Sequence, residues 1–147
     1  MTKLVSLYFR DGVLYVLPAS HTVDGLWIND QPFEKMSMSA PACENGAAVR
    51  RALELSREGV RHPAREEFSL LTLPLREAAG APTWHAFAKT AKHVDVMAKD
   101  GVWLLTPYSY MGKGGFEPLS DSAVAVEADS ADDVVGEALL AVLARCD

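Results

Sequence analysis

Histidines and cysteines are the side chains of this sequence that most readily bind metals or take part in catalysis. They are His21, His62, His85, His93, Cys43 and Cys146. A helical zinc site needs two histidines four residues apart, and other zinc sites need closely spaced cysteines and histidines. Neither spacing occurs here, so the sequence predicts no metal site and no cofactor.

One short segment carries the residue types of a nucleophilic triad. Ser20, His21 and Asp24 supply a hydroxyl, a base and an acid. Triads are assembled across space rather than along the chain, and the Gly-x-Ser-x-Gly elbow of many hydrolases is absent. A small hydrolase or transferase with a site around His21 therefore stays an alternative hypothesis.

A glycine-rich stretch at residues 112–115 has the composition of a phosphate-binding loop. It lacks the Gly-x-x-x-x-Gly-Lys-Ser/Thr spacing, and no clear helix pattern follows it. We predict a loop over residues 108–115.

Acidic side chains are concentrated near the C-terminal end. The chain has 20 acidic and 14 basic residues, and its net charge of −6 argues against nucleic-acid binding, which needs a basic face. Residues 117–147 hold eight of the acids and a single base, Arg145. A solvated face is the usual meaning of such a run, and a helix N-terminus would favour Asp132 and Asp133. The alternative is a negative surface for a basic protein partner. Its candidate residues are Glu117, Asp121, Glu127, Asp129, Asp132 and Asp133.

Length and composition indicate one globular domain over residues 1–147. The chain is 49% hydrophobic and 23% charged, which excludes a disordered tail, a collagen-like fibre and a disulfide miniprotein. No stretch approaches the roughly 18 apolar residues of a membrane helix, and the first apolar run is too short for a signal peptide. We therefore expect a cytoplasmic protein with reduced cysteines and no membrane contact.

Two hairpins form the predicted sheet. Asp11-Gly12 separates strands at residues 4–9 and 13–17, and Asp100-Gly101 separates strands at residues 94–98 and 102–105. Pro18 is expected to end the second strand, since proline cannot donate to a ladder. A third strand begins at Leu26, and the last is predicted at residues 123–126.

Helices are predicted between and after the strands. The first follows Ala40-Pro41 and is capped by Gly59, and residues 75–79 form a turn closed by Gly80. Residues 68–75 are expected to be a connector or short strand, and Thr83 caps the next helix. The final helix begins with a capping box at residues 130–133 and carries an apolar stripe. The stripe consists of Val135, Ala138, Leu139, Val142, Leu143 and Cys146. The fold class is thus α+β: a largely antiparallel sheet built from hairpins, with helices packed on it and a C-terminal amphipathic helix.

Four features of the sequence resemble the CdiI-type immunity proteins of bacterial contact-dependent growth inhibition (CDI) systems. They are the opening hairpin at residues 4–17, the loop and strand at 22–28, the helix end at 56–63, and the segment from Trp84-His85-Ala86-Phe87 through a hairpin to the helix at 136–140. The likeness spans nearly the whole chain.

The resemblance implies a cytosolic antitoxin rather than an enzyme. Proteins of this type bind the C-terminal toxin domain of a matching CdiA protein, which is frequently a nuclease such as a tRNase. They block its active site or substrate cleft without contacting nucleic acid themselves. The family does not name contact residues here, so the six acids rest on charge alone. A homo-oligomeric scaffold is a further alternative.

Overall fold

The computed structural model describes residues 1–113 and 115–147. Its strands are β1 Lys3–Arg10, β2 Val13–Thr22, β3 Trp27–Asn29, β4 Glu34–Ser37, β5 Glu58–Val60, β6 Lys92–Lys99, β7 Val102–Gly112, β8 Gly115–Pro118 and β9 Val124–Glu127. Its helices are α1 Ala42–Leu55, α2 Leu73–Ala79, α3 Trp84–Ala88 and α4 Asp132–Leu143, with 3-10 segments at Arg65–Leu70 and Ser120–Ser122. No helix in the described residues is long and apolar enough to cross a membrane.

Both predicted hairpins are confirmed. Asp11 and Gly12 have φ values of 51° and 76°, and Asp100 and Gly101 have 52° and 78°. Positive φ at both central residues matches the right-handed twist of the flanking strands. The sheet order is β3-β2-β1-β6-β7-β8, with β4 and β5 also on β2 and β9 on β7. Apart from the parallel β2–β5 pair, neighbours are antiparallel, so the predicted α+β class is confirmed.

Pro18 does not end β2, contrary to the prediction. It pairs with Val5 in the middle of the β1–β2 ladder, and β2 continues to Thr22. The Pro18 carbonyl accepts a hydrogen bond of 2.7 Å from the Asp30 amide on the other side of β2. Because the nitrogen and carbonyl of one strand residue point to the same side, the missing N–H faces away from β1. Proline at this position therefore removes no hydrogen bond from the β1–β2 ladder.

The loop predicted over residues 108–115 is also wrong. β7 runs on to Gly112 and pairs with β8, with an irregularity in register between Tyr110 and Gly112. Gly114, at the centre of the glycine-rich stretch, lies outside the described residues. The continued strand places Tyr108 in the sheet, where its side chain contributes to the site below.

The chain leaves α1 earlier than Gly59 would predict. The helix ends at Leu55, and Ser56 follows in an extended conformation. The Ser56 hydroxyl accepts from the Leu4 amide at 3.1 Å and donates to the Ala19 carbonyl at 2.6 Å, both buried. These bonds tie the chain to β1 and β2, and Gly59, with φ of 69°, lies in β5.

The shorter helices follow the predictions in part. Gly80 closes α2 in the left-handed conformation, and the Thr83 hydroxyl accepts from the Ala86 amide at 3.0 Å. Residues 68–75 are not a strand, because a 3-10 segment ends at Leu70 and α2 begins at Leu73 with Pro74 in its first turn. Proline is well tolerated there because the first-turn amides have no helical partner.

The sheet has two differently covered faces. Side chains alternate along each strand, so Val5, Leu7, Val94, Val96 and Leu105 point to one side, which we call the helix face. There they form the main core with α1 and α4. The other side, which we call the open face, carries Ser6, Tyr8, His93, Asp95, Thr106 and Tyr108. Residues of α2 and α3 cover only part of it.

α1 and α4 pack against one another as well as on the sheet. A Cβ on Gly46 would lie 1.9 Å from the Asp132 carbonyl oxygen, and one on Gly136 would lie 1.8 Å from that of Ala42. Only glycine permits so close a crossing. The predicted stripe on α4 is buried at Val135, Leu139, Val142 and Leu143. The capping box is wrong, because Ala131 is the N-cap and no side chain caps the helix.

Candidate functional site

The six acids selected from the sequence fall into two groups. Glu117 on β8 and Asp121 in the second 3-10 segment form the hairpin acids. The helix-end acids are Glu127 at the end of β9, Asp129 after it, and Asp132 and Asp133 in the first turn of α4. Glu127 pairs with Val102 and Glu117 with Ser109. Those partners are seven residues apart on β7, so the groups are separated by about 23 Å along the strand.

Asp132 differs from the other five acids because it has a structural ion pair. Its carboxylate accepts from Arg50 Nε at 3.0 Å. The same guanidinium donates to the carbonyls of Ala128 and Ser130 at 3.0 and 2.8 Å, and it lies over the Trp103 ring at 4.6 Å. Arg50 therefore ties α1 to the segment that leads into α4. The Asp132 carboxylate therefore mainly stabilises this junction.

The remaining five acids are exposed: Glu117, Asp121, Glu127, Asp129 and Asp133. In the part of the chain that the structure describes, none of them forms an ion pair. The helix crossing adds Glu44, an exposed acid in the first turn of α1 that lines one shallow recess together with Asp132. No local sequence pattern identifies Glu44 as a site residue, because none reveals where α1 and α4 cross.

A row of polar side chains crosses three central strands of the open face. Ser6 on β1 is directly opposite Asp95 on β6, and Asp95 is directly opposite Thr106 on β7. Directly opposite side chains on one face have Cβ atoms about 5 Å apart. We call these three residues the polar row.

An aromatic row lies beside it. Tyr8 pairs with His93, and Tyr108 stands next to His93 on β7. The ring centroids of Tyr8 and Tyr108 each lie 4.4 Å from that of His93. Phe87 of α3 packs edge-on against Tyr8 at 5.5 Å. Tyr8 and His93 are thus buried, whereas Tyr108 and Asp95 at the margin of the cover are partly exposed.

Hydrogen bonds join the two rows. The Tyr108 hydroxyl donates to Asp95 Oδ2 at 2.5 Å. His93 Nδ1 lies 2.9 Å from the Leu7 carbonyl oxygen. Because a carbonyl only accepts, Nδ1 carries the ring proton of the neutral histidine.

Burial sets the protonation states of this cluster. It lowers the pKa of His93 to about 4, against a smaller opposing effect of the hydrogen bond to Leu7. It raises the pKa of Tyr8 to about 12, and with the Asp95 hydrogen bond it raises the pKa of Tyr108 further. Burial also raises the pKa of Asp95, which the hydrogen bond from Tyr108 partly offsets. The histidine and both tyrosines are therefore neutral at pH 7, and Asp95 is the one acidic group of the cluster.

The family follows from a comparison with known protein families. The model of the family CdiI, CDI immunity protein, matches residues 44–146, which is more than half of the chain. The chain belongs to the CDI immunity protein family. The resemblance noted in the sequence is thereby confirmed.

Solved structures share the fold of this CDI immunity protein. One is the CdiA-CT/CdiI toxin and immunity complex from Yersinia pseudotuberculosis, with a TM-score of 0.84, 16% identity, and coverage of 100% of this chain and 98% of that chain. Another is the protein of unknown function NMB0488 from Neisseria meningitidis, with a TM-score of 0.83, 18% identity, and coverage of 100% and 96%. Among curated proteins, none matches the chain significantly.

The triad considered around His21 is not assembled in this CDI immunity protein. The Ser20 hydroxyl donates to Asp30 Oδ2 at 2.7 Å, and Asp24 lies 3.7 Å from His62 rather than beside His21. The His21 ring packs against Trp27 at 4.7 Å. Across residues 1–113 and 115–147, no three histidine, cysteine or acidic side chains gather as metal ligands.

Proposed function

We propose that this chain is the immunity protein of a contact-dependent growth inhibition system. It binds the C-terminal toxin domain of its matching CdiA protein in the cytoplasm and neutralises it by occlusion, without catalysis. The observation that carries the proposal is the family match over residues 44–146. The fold shared with a chain of the Yersinia pseudotuberculosis CdiA-CT/CdiI toxin and immunity complex supports it.

The exposed acids favour a toxin domain with a basic cleft, such as a tRNase or another nuclease. Nucleases bind a polyanion through basic residues, and an acidic inhibitor can occupy the same surface. Charge complementarity of this kind mainly speeds association and selects the partner. The helix-end acids fit this role through Glu127, Asp129 and Asp133, which are free of the Arg50 junction.

The distance between the two acid groups bears on how the toxin lies. A standard interface of about 800 Å² per partner is about 32 Å across. Such a patch on the open face along β7 would include Glu127, which is opposite Val102, but not Glu117, which is opposite Ser109 and points to the other side of the sheet. Leu104, which is 42% exposed on the open face, would then be part of the interface.

Co-expression with the C-terminal domain of the CdiA-like protein encoded immediately upstream tests the proposal. The expected result is a stable one-to-one complex on gel filtration and rescue of growth in cells that produce the toxin domain. The variant His21→Ala should rescue equally well, which a hydrolase centred on His21 would not allow. Absence of both complex and rescue would overturn the proposal for this pair. The mass in solution of the chain without the toxin domain tests the alternative of a homo-oligomeric scaffold.

A further inference from the structure

We propose that the polar row, Ser6, Asp95 and Thr106, receives a cationic side chain of the toxin domain, an arginine in preference to a lysine. The inference rests on the proposed function and adds a second recognition site on the open face, apart from the acids selected by charge.

The first observation is that the hydroxyls of the polar row have no partner of their own. Ser6 and Thr106 are only 8% and 9% exposed. Neither hydroxyl forms a hydrogen bond within the described residues, and neither hydroxyl oxygen is fully enclosed, since the enclosed unpaired side-chain atoms there belong to Asn45. Both flank Asp95 on the same face of the sheet. Two acceptors are therefore fixed on rigid strands on either side of a carboxyl group.

The second observation is that Asp95 has no cation of its own. Among the described residues no lysine, arginine or histidine nitrogen lies within ion-pair distance of it. The Asp95 carboxylate accepts a hydrogen bond from the Tyr108 hydroxyl at Oδ2, which leaves Oδ1 available. Lys99 is the next charged residue on this face of β6, four residues away or about 13 Å along the strand.

The surroundings of the polar row fit an arginine. Three acceptors, Asp95 Oδ1 and the two hydroxyls, match the fork of N–H donors on a guanidinium better than the single nitrogen of lysine. The half-exposed ring of Tyr108 offers a flat surface for the guanidinium plane. The next residues along the strands, Met97 and Leu104, are partly and largely exposed and offer an apolar wall for the aliphatic stem.

The neighbouring acid also fits a basic partner. Glu127 pairs with Val102 and lies on the open face, four residues from Thr106 along β7, or about 13 Å. A toxin surface with several basic side chains could therefore contact Glu127 and the polar row together. Burial raises the pKa of Asp95, and a cation beside it would favour its ionised form.

Affinity for the toxin domain is the first test. Asp95→Asn keeps an acceptor for the Tyr108 hydroxyl and removes the charge. Titration calorimetry should show about a 30-fold or greater loss of affinity, the usual effect of breaking a desolvated charge pair. The matched control is Glu54→Gln, which removes an exposed charge on α1, and its affinity should equal that of the wild type. Equal affinities of Asp95→Asn and the wild type would overturn the inference and leave the proposed function intact.

The second test does not depend on the toxin. Titration of the isotope-labelled chain with N-acetyl-arginine amide should give saturable NMR shifts at the polar row and lower the pKa of Asp95. Both effects should vanish in Asp95→Asn, which should keep the unfolding midpoint of the wild type to show that it folds. No saturable shift at the polar row of the wild type would overturn the inference, whether or not the toxin binds. Shifts in a chain that fails to bind the toxin would instead uphold the cation site and count against the proposed function.

Discussion

The helix face and the open face of the sheet are built for different purposes. On the helix face Leu7, Val94 and Leu105 are fully buried beneath α1 and α4, which themselves cross at glycines. On the open face Tyr8 and His93 are buried, whereas Asp95, Met97 and Leu104 beyond them are partly exposed. A closed apolar layer supplies stability, whereas partly exposed polar groups with few partners in the fold supply little. The comparison indicates that one face holds the fold together and leaves the other free for recognition.

The largest expected difference is between leucines on opposite faces. Leu139→Ala, at a fully buried position of α4, should lower the free energy of unfolding by about 4 kcal/mol. Leu104→Ala, at a 42% exposed position of the open face, should lower it by less than about 1 kcal/mol. Urea unfolding of both variants measures the contrast. Equal losses would show that the open face contributes as much to stability as the helix face.

The buried histidine gives the next largest effect. The pKa of His93 falls from 6.5 to about 4 on folding, so between these values the unfolded chain binds a proton that the folded chain does not. The free energy of unfolding therefore decreases as pH falls below about 6.5, and the loss reaches about 3 kcal/mol near pH 4.

Urea unfolding between pH 7 and pH 4 checks this, with His93→Phe as the comparison. The variant keeps a ring in the aromatic row but cannot titrate, so its stability should fall less over the same range. The contribution of Asp95, which has the opposite sign because its pKa is raised, is common to both proteins. Parallel pH profiles would show that His93 is accessible rather than buried.

The helix crossing should tolerate no side chain. Gly136→Ala would place a Cβ against the Ala42 carbonyl, so α1 and α4 would have to separate at a cost of about 2 kcal/mol. Glu137→Ala, at the adjacent exposed position, should change the free energy of unfolding by less than about 0.5 kcal/mol. Thermal unfolding of both variants measures this difference in stability. A neutral Gly136→Ala would mean that the helices do not cross as closely as described.

The helix-end acids should affect binding kinetics more than stability. The triple variant Glu127→Gln, Asp129→Asn, Asp133→Asn should associate with the toxin domain about tenfold more slowly at low salt and show a weaker dependence on salt. Asp132→Asn is the control, because its partly exposed pair with Arg50 should cost stability, up to about 1 kcal/mol, more than association rate. Stopped-flow measurements over a range of salt concentrations test both. Unchanged rates in the triple variant would remove these acids from the interface.

The sequence predicted what depends on local patterns. Asp-Gly turns, the apolar stripe on α4 and the Thr83 cap each act over a few residues, and each was recovered. Pro18 in mid-strand was missed because its fit depends on a gap between β3 and β4. The early end of α1 was missed because it depends on two hydrogen bonds of Ser56 to distant strands.

The candidate site was less predictable than the fold. The polar row joins residues from positions 6, 95 and 106, and only the register of three strands brings them together. Alternation within β6 could have placed His93 and Asp95 on one face. Nothing local indicates that Thr106 and Tyr108 join them, since proline and glycines suggested a loop beyond residue 105. The charge pattern, by contrast, identified the surface acids but did not distinguish Asp132, which pairs with Arg50, from the five acids that form no ion pair in the described residues.

Side-chain footprinting of the complex with the toxin domain is the decisive test of whether recognition uses the open face. Hydroxyl radicals label exposed side chains, so Met97 and Leu104 on the open face should react in the free chain. Both should be protected in the one-to-one complex, while Leu55 and Leu140, exposed on α1 and α4, should react equally in both states. Protection of the helix residues with unchanged reactivity at Met97 and Leu104 would contradict the assignment of recognition to the open face.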